Sequence, residues 1–143
     1  MNRLLLNSIF IVTLVLNCFS CKNEASKLET ESAIQIEGLT LNNNEKWIAN
    51  EETHIGMKKI DSILKSNPST DGKILGDALS KETSYIIKSC DMEGEAHDQL
   101  HVVLVPVLAE ITDLKDIKKP LEVKKKRTTL KQLTATYFEY FKI

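Results

Sequence analysis

Glycine and proline are scarce, five and three in a chain of 143 residues, and the apolar residues recur at helical rather than alternating spacing. Both features argue against the turn-dense all-β architectures. Neither sign of charge dominates. Nineteen basic residues stand against twenty acidic ones, so there is no basic excess of the kind that holds nucleic acid. Nucleic acid is not among the expected partners. The longest apolar run, Leu4 to Leu16, is broken by Asn7, Ser8 and Thr13 and is too short to cross a bilayer as a permanent anchor. The C-x-x-C-H segment that attaches haem c is absent. The length allows one compact domain with a modest core and leaves no room for a cofactor domain beside a substrate domain.

What is present begins with an address. Arg3 followed by the apolar run reads as a secretory signal peptide over residues 1–20. It ends at Asn17-Cys18-Phe19-Ser20-Cys21, where a cysteine directly after a small residue resembles the lipobox of bacterial lipoproteins. That resemblance implies acylation at Cys21 and a membrane partner reached through a lipid anchor. Lys22 rather than Asp in the next position favours delivery to the outer membrane, and Lys22-Asn23-Glu24 resembles the short charged tags of surface lipoproteins. With Cys18 removed and Cys21 acylated, Cys90 is the one remaining thiol. It is then buried and inert, engaged with a metal, or paired with another molecule.

Residues 21–43 are polar and read as the acylated cysteine and a flexible tether. Residues 44–143 read as the domain, with four helical segments. The first runs from about Glu45 to Lys65, with Ala49, Thr53, Met57, Ile60 and Leu64 in one stripe, and stops at Asn67-Pro68. The second follows Ser69-Thr70-Asp71-Gly72 and carries Leu75, Leu79, Ile86 and Cys90 on one face. The third runs from about Glu95 to Leu114 with the stripe His97, Leu100, His101, Leu104, Leu108 and Ile111, and Pro106 should kink it. The fourth starts near Pro120 and turns Leu130, Leu133, Tyr137, Tyr140 and Phe141 inward. Short connections make successive helices antiparallel, so the fold class is all-α, an up-down-up-down four-helix bundle. Level-matching at about 1.5 Å per residue then brings His54, Glu51 and Glu52 near His101, with Tyr137 approaching the same height.

The chemistry concentrates in Cys90-x-Met92-x-Gly94-x-x-His97-x-x-x-His101. Histidines at i and i+4 leave one helical face together and can share one ion, while a thiolate and a thioether just before the turn add soft donors. The set favours copper first and zinc second, with His54 and Met57 as weaker additional ligands. Gly94 would let both sulfurs face the first turn of the third helix. The bland alternative is a core histidine, a buried thiol and a space-filling methionine.

Trp47-x-x-Asn50-x-Glu52-Thr53, with Ser89-Cys90-x-Met92-x-Gly94-Glu95-Ala96-His97-Asp98-x-Leu100-His101, resembles a group of small lipoproteins or secreted helical proteins of Bacteroidota-type bacteria. The resemblance implies a secreted helical domain with a metal site and no defined activity. Other motifs fail. A haem b site using His97 or His101 with Met57 lacks a stripe of small residues to admit the porphyrin, so haem is disfavoured. A di-iron bundle needs two Glu-x-x-His pairs, and only Glu51-x-x-His54 occurs. His97-Asp98-x-x-His101 is similar to the metalloprotease H-E-x-x-H, but Asp98 is one methylene short and no third ligand is evident. Lys124-Lys125-Lys126-Arg127 is a basic run that reads first as a solvated face, with an anionic lipid or sugar headgroup as the minor alternative. Two function classes follow, with catalysis below both. One is an envelope lipoprotein binding copper or zinc. The other is a structural or interaction lipoprotein whose buried histidines bond carboxylates such as Glu52, with a protein partner that the sequence does not name.

Overall fold

The structure, a computed structural model, describes residues 32–143; residues 1–20, read above as a signal peptide, Cys21 and residues 22–31 lie outside the described residues. In chain order the elements are β1 (Trp47–Ile48), α1 (Glu51–Ser66), α2 (Gly72–Ser89), α3 (Gly94–Asp116), α4 (Pro120–Tyr140) and β2 (Phe141–Lys142). Each helix packs on its neighbours in sequence, and α4 closes the ring against α1. This is the all-α four-helix bundle that the periodicity predicts. Among the described residues no helix is long and apolar enough to cross a membrane.

Local chemistry sets the helix ends. Glu51 and Glu52 in the first turn of α1 oppose the positive end of its dipole, and Asn67-Pro68 ends it. The Asp71 carboxylate accepts from Ile74 N at 3.0 Å and caps α2. Pro120 opens α4 at a position where a missing N–H costs nothing. Three ties then fix the antiparallel order. Asn50, preceding α1, donates Nδ2 to Ser89 O at the end of α2 at 2.9 Å. Arg127 of α4 donates two N–H groups to Asn67 O and Ser69 O, just beyond the end of α1. Gly72 sits so close to the end of α3 that a Cβ there would lie 2.1 Å from Leu114 O, so only glycine allows the approach. The core runs through all four helices, with Met57, Ile60 and Leu64 of α1, Leu75, Leu79 and Ile86 of α2, and Leu130, Leu133 and Tyr137 of α4.

Three expectations are corrected. First, residues 45–50 are not helical. Asn43 and Asn44 take left-handed φ angles of 50° and 68°, forming a tight turn whose flanks, Asn42 and Glu45, exchange two backbone hydrogen bonds of 2.9 Å. Asparagine tolerates that conformation, and two such residues in succession exclude a helix. The chain leaves the turn as β1, which pairs in parallel with β2, so Phe141, read as the last turn of the fourth helix, belongs to a strand.

Second, the polar stretch read as flexible tether is held on the bundle from Ile34 onward. The Thr136 hydroxyl lies 2.9 Å from both the N and the O of Ile34. The Gln99 amide accepts from Thr40 N at 2.8 Å and donates to Gly38 O at 3.2 Å. Leu39 is buried, and Ile34 and Ile36 pack on the core. Two isoleucines at i and i+2 put apolar groups on one side of an extended chain, a pattern that a low overall apolar content conceals.

Third, the inward stripe of α3 is Leu100, Val103, Leu104, Val107, Ile111 and Leu114. His101 is therefore exposed and His97 half-buried. Residues 102–108 are all apolar, so the pattern leaves the phase of the helix open, and burying valine in place of imidazole resolves it. The helix continues through Pro106 without a break.

Candidate functional site

The side chains with chemical potential collect at the end of the bundle where α2 stops and α3 starts, and α1 starts and α4 stops. They form two groups.

The first group is interior. His54, half-buried on α1, turns to α4, where its Nδ1 stands 3.3 Å from the Tyr137 hydroxyl and its ring packs edge-on to Phe138 at 5.5 Å. Tyr137 is fully buried and stacks on Phe141, with centroids 5.0 Å apart and planes 5° from parallel. Burial first, and the nearby charge of Lys58 second, hold the His54 pKa below its ordinary value. Burial pushes the Tyr137 phenol far up, and a charge on Cys90 adds to the effect, so Cys90 lies within electrostatic reach of this ring. The neutral imidazole and neutral phenol are the stable pair here. Thr53 Oγ1, and Asn50 Oδ1 just before the helix, are buried without a hydrogen-bond partner among the described residues. Two acceptors therefore remain open at this end of the core.

The second group is at the surface. The rings of His97 and His101, one turn apart on α3, meet edge to face with centroids 4.4 Å apart. Gly94, at φ 63°, turns the chain sharply into α3 just before them. Asp91, Glu93, Glu95 and Asp98 are exposed around the pair, and no basic residue interrupts residues 89–101. Four like charges beside two imidazoles attract cations and raise their local concentration.

The structure brings His97 to His101 and His54 to Tyr137, but it does not assemble the four donors Cys90, Met92, His97 and His101. Among the described residues no three His, Cys, Asp or Glu side chains converge as a metal cage. Cys90, the helix cap after α2, and Met92 pack against the core. Met57 is 1% exposed within it. Glu52 accepts from Asn50 Nδ2 at 3.1 Å rather than from a histidine, and the partners of His54 are aromatic residues of α4 rather than His101 of α3.

Trp47 and Asn50 carry structural work: the indole N–H donates to Thr40 O at 2.6 Å, and Asn50 ties α1 to α2 in place of capping its own helix. The sequence carries no pattern that pairs Tyr137 with His54 or that marks the open oxygens of Asn50 and Thr53. A hydroxyl partner gives no sequence signal beyond its level in the bundle. Comparison with family models, with curated proteins and with solved structures finds no match.

Proposed function

We propose that this chain is a cell-envelope lipoprotein, acylated at Cys21, that holds one copper or zinc ion between His97 and His101. The observation that carries the reading is the 4.4 Å edge-to-face meeting of two accessible imidazoles one helical turn apart. The acidic rim of Asp91, Glu93, Glu95 and Asp98 supports it. Two imidazoles without sulfur are borderline donors, which suits Cu(II) and Zn(II) better than Cu(I), and the remaining positions stay open to water or a partner. For Cys90, Met92, Met57 and His54, packing against the core favours the structural role. The anchor rests on the apolar run and the Ser20-Cys21 junction.

Titrating the full chain with Cu(II) and Zn(II) tests the site. One ion per chain is expected, and His97→Ala and His101→Ala should each abolish chelation while keeping the helical dichroism. At a hundredfold excess of free metal over the dissociation constant, unfolding should become harder by about 2.7 kcal/mol. Both imidazoles bind only when unprotonated, so affinity should fall in acid. Binding that survives loss of both histidines, or no thermal shift with either ion, refutes the site. Separately, intact mass should show a lipid on Cys21 that Cys21→Ala removes.

A further inference from the structure

The opposite end of the bundle carries an unused surface. Residues 118–127 hold six cations, Lys118, Lys119, Lys124, Lys125, Lys126 and Arg127, against the single carboxylate of Glu122. Three are committed within the fold. Lys119 pairs with Glu122 at 3.1 Å, Lys126 sits between Glu110 and Asp113 at 2.9 and 3.0 Å, and Arg127 is bound to backbone carbonyls. Lys118, Lys124 and Lys125 are exposed and have no carboxylate in ion-pair range among the described residues. Leu121, one turn before Lys124 and Lys125 on the same helix, is 66% exposed. Beside it a cleft of about 520 Å³ opens between the α1–α2 loop and the start of α4, walled by Pro68, Pro120 and Leu121 with Lys124 at its edge.

We propose that this end of the bundle docks on an anionic phospholipid surface, Lys118, Lys124 and Lys125 meeting the headgroup phosphates and Leu121 entering between them. An exposed apolar residue ringed by lysines on a helix has the two parts that interfacial binding needs, buried apolar area and attraction to anionic lipid. The kind of cation chooses between partners. A defined anion such as a phosphorylated side chain is best held by the fixed fork of a guanidinium, and the one arginine here is turned inward onto Asn67 and Ser69. The three free lysines are mobile point charges, which respond to charge density rather than to one anion's shape. This surface is independent of the imidazole pair, which lies at the other end.

The test is flotation of the full chain with vesicles of phosphatidylcholine alone or mixed with phosphatidylglycerol. A lipid anchor contributes equally to both, so the ratio of binding isolates the patch. Each lysine at an anionic surface is worth about fivefold, from about 1 kcal/mol, so the ratio should exceed about ten and fall steeply with added salt. Lys124→Glu with Lys125→Glu should return it to about one, and Leu121→Ser should weaken binding to the anionic vesicles with the helical dichroism unchanged. A ratio of one for the unaltered chain, or a ratio indifferent to salt or to the charge reversal, overturns the proposal. Displacement by inorganic phosphate would make the site an ion pocket, and displacement by a soluble polyglutamate would make it a protein interface. Either result also overturns it.

Discussion

Where α1 stops and α4 starts, the half-buried cations and the helix cap are engaged inside the fold, Arg127 on two carbonyls, Lys126 between two carboxylates and Asp71 on the first turn of α2, and the free Lys118, Lys124 and Lys125 are at the surface. Where α1 starts and α4 stops, polar side chains are held loosely. His54 meets Tyr137 at 3.3 Å, His97 and His101 meet only each other among the ring contacts, and two buried oxygens lack a donor. The same four helices thus build one end as a clamp whose spare cations face outward, and the other with spare bonding capacity in its interior. Satisfied polar groups rigidify, and unsatisfied ones are where ligands bind or chemistry develops.

The sharpest break in that contrast is at the loose end, where stacked aromatic rings pack beneath the strand pair. Phe141→Ala removes a ring that is 1% exposed, stacks on Tyr137 and anchors the strand pair. It should cost about 3–5 kcal/mol in urea unfolding. A loss below about 1 kcal/mol would mean that the strand pair contributes little to the bundle.

Glycine separates the two ends next. At Gly72 a Cβ would meet Leu114 O at 2.1 Å and Ile117 O at 2.7 Å, both backbone atoms of the end of α3 and its exit. Gly72→Ala should therefore cost about 2–3 kcal/mol, since the helices must separate. At Gly94 nothing lies within 4 Å of a Cβ, and only the φ of 63° opposes a side chain. Gly94→Ala should cost about 1–2 kcal/mol by the left-handed penalty, and Gly94→Asn less, because asparagine tolerates that region. Equal losses for Gly94→Ala and Gly94→Asn would refute the conformational account.

These particulars also show what a sequence can tell. Met57, Ile60 and Leu64 repeat with helical period on a helix otherwise rich in charge, so the α1 stripe is unambiguous. In α3 the run from Val102 to Leu108 offers apolar residues to every side, so the pattern leaves the phase open and the burial of valine turns the histidines outward. The Cys90-to-His101 spacing points to one loop and helix turn, yet local spacing does not say which donors turn into the core. The parallel pairing of β1 with β2 joins residues more than ninety positions apart, and no local pattern announces it. The polar composition of residues 32–43 concealed a backbone held by two distant side chains, Gln99 and Thr136.

That held segment gives a smaller test. Gln99→Ala removes both amide bonds, to Thr40 N and to Gly38 O, on an exposed stretch, with an expected loss of about 1 kcal/mol. Hydrogen exchange should speed up at Thr40 while the amides of Leu100 and Val103 keep their protection. Uniform loss of protection would show that the segment unfolds only with the bundle.

The smallest effect concerns His54 and asks whether the loose end is governed by burial or by its hydroxyl partner. Its pKa is lowered in the folded chain, so the unfolded chain binds a proton at a higher pH than the folded one does. Stability from the neutral ring is complete above the unfolded value of about 6.5 and is lost as pH falls below it, levelling off beneath the folded value. Acidification should therefore weaken the bundle, and His54→Phe should remove that component. Because burial is the larger cause and Lys58 the second, Lys58→Gln should raise the His54 titration midpoint part of the way toward normal, as read by proton resonance. Tyr137→Phe keeps the burial and should leave the midpoint low, although it removes the 3.3 Å contact. A midpoint that returned to the ordinary histidine value in Tyr137→Phe, and not in Lys58→Gln, would make the phenol the controlling group and would mean that this end is held by a specific hydrogen bond after all.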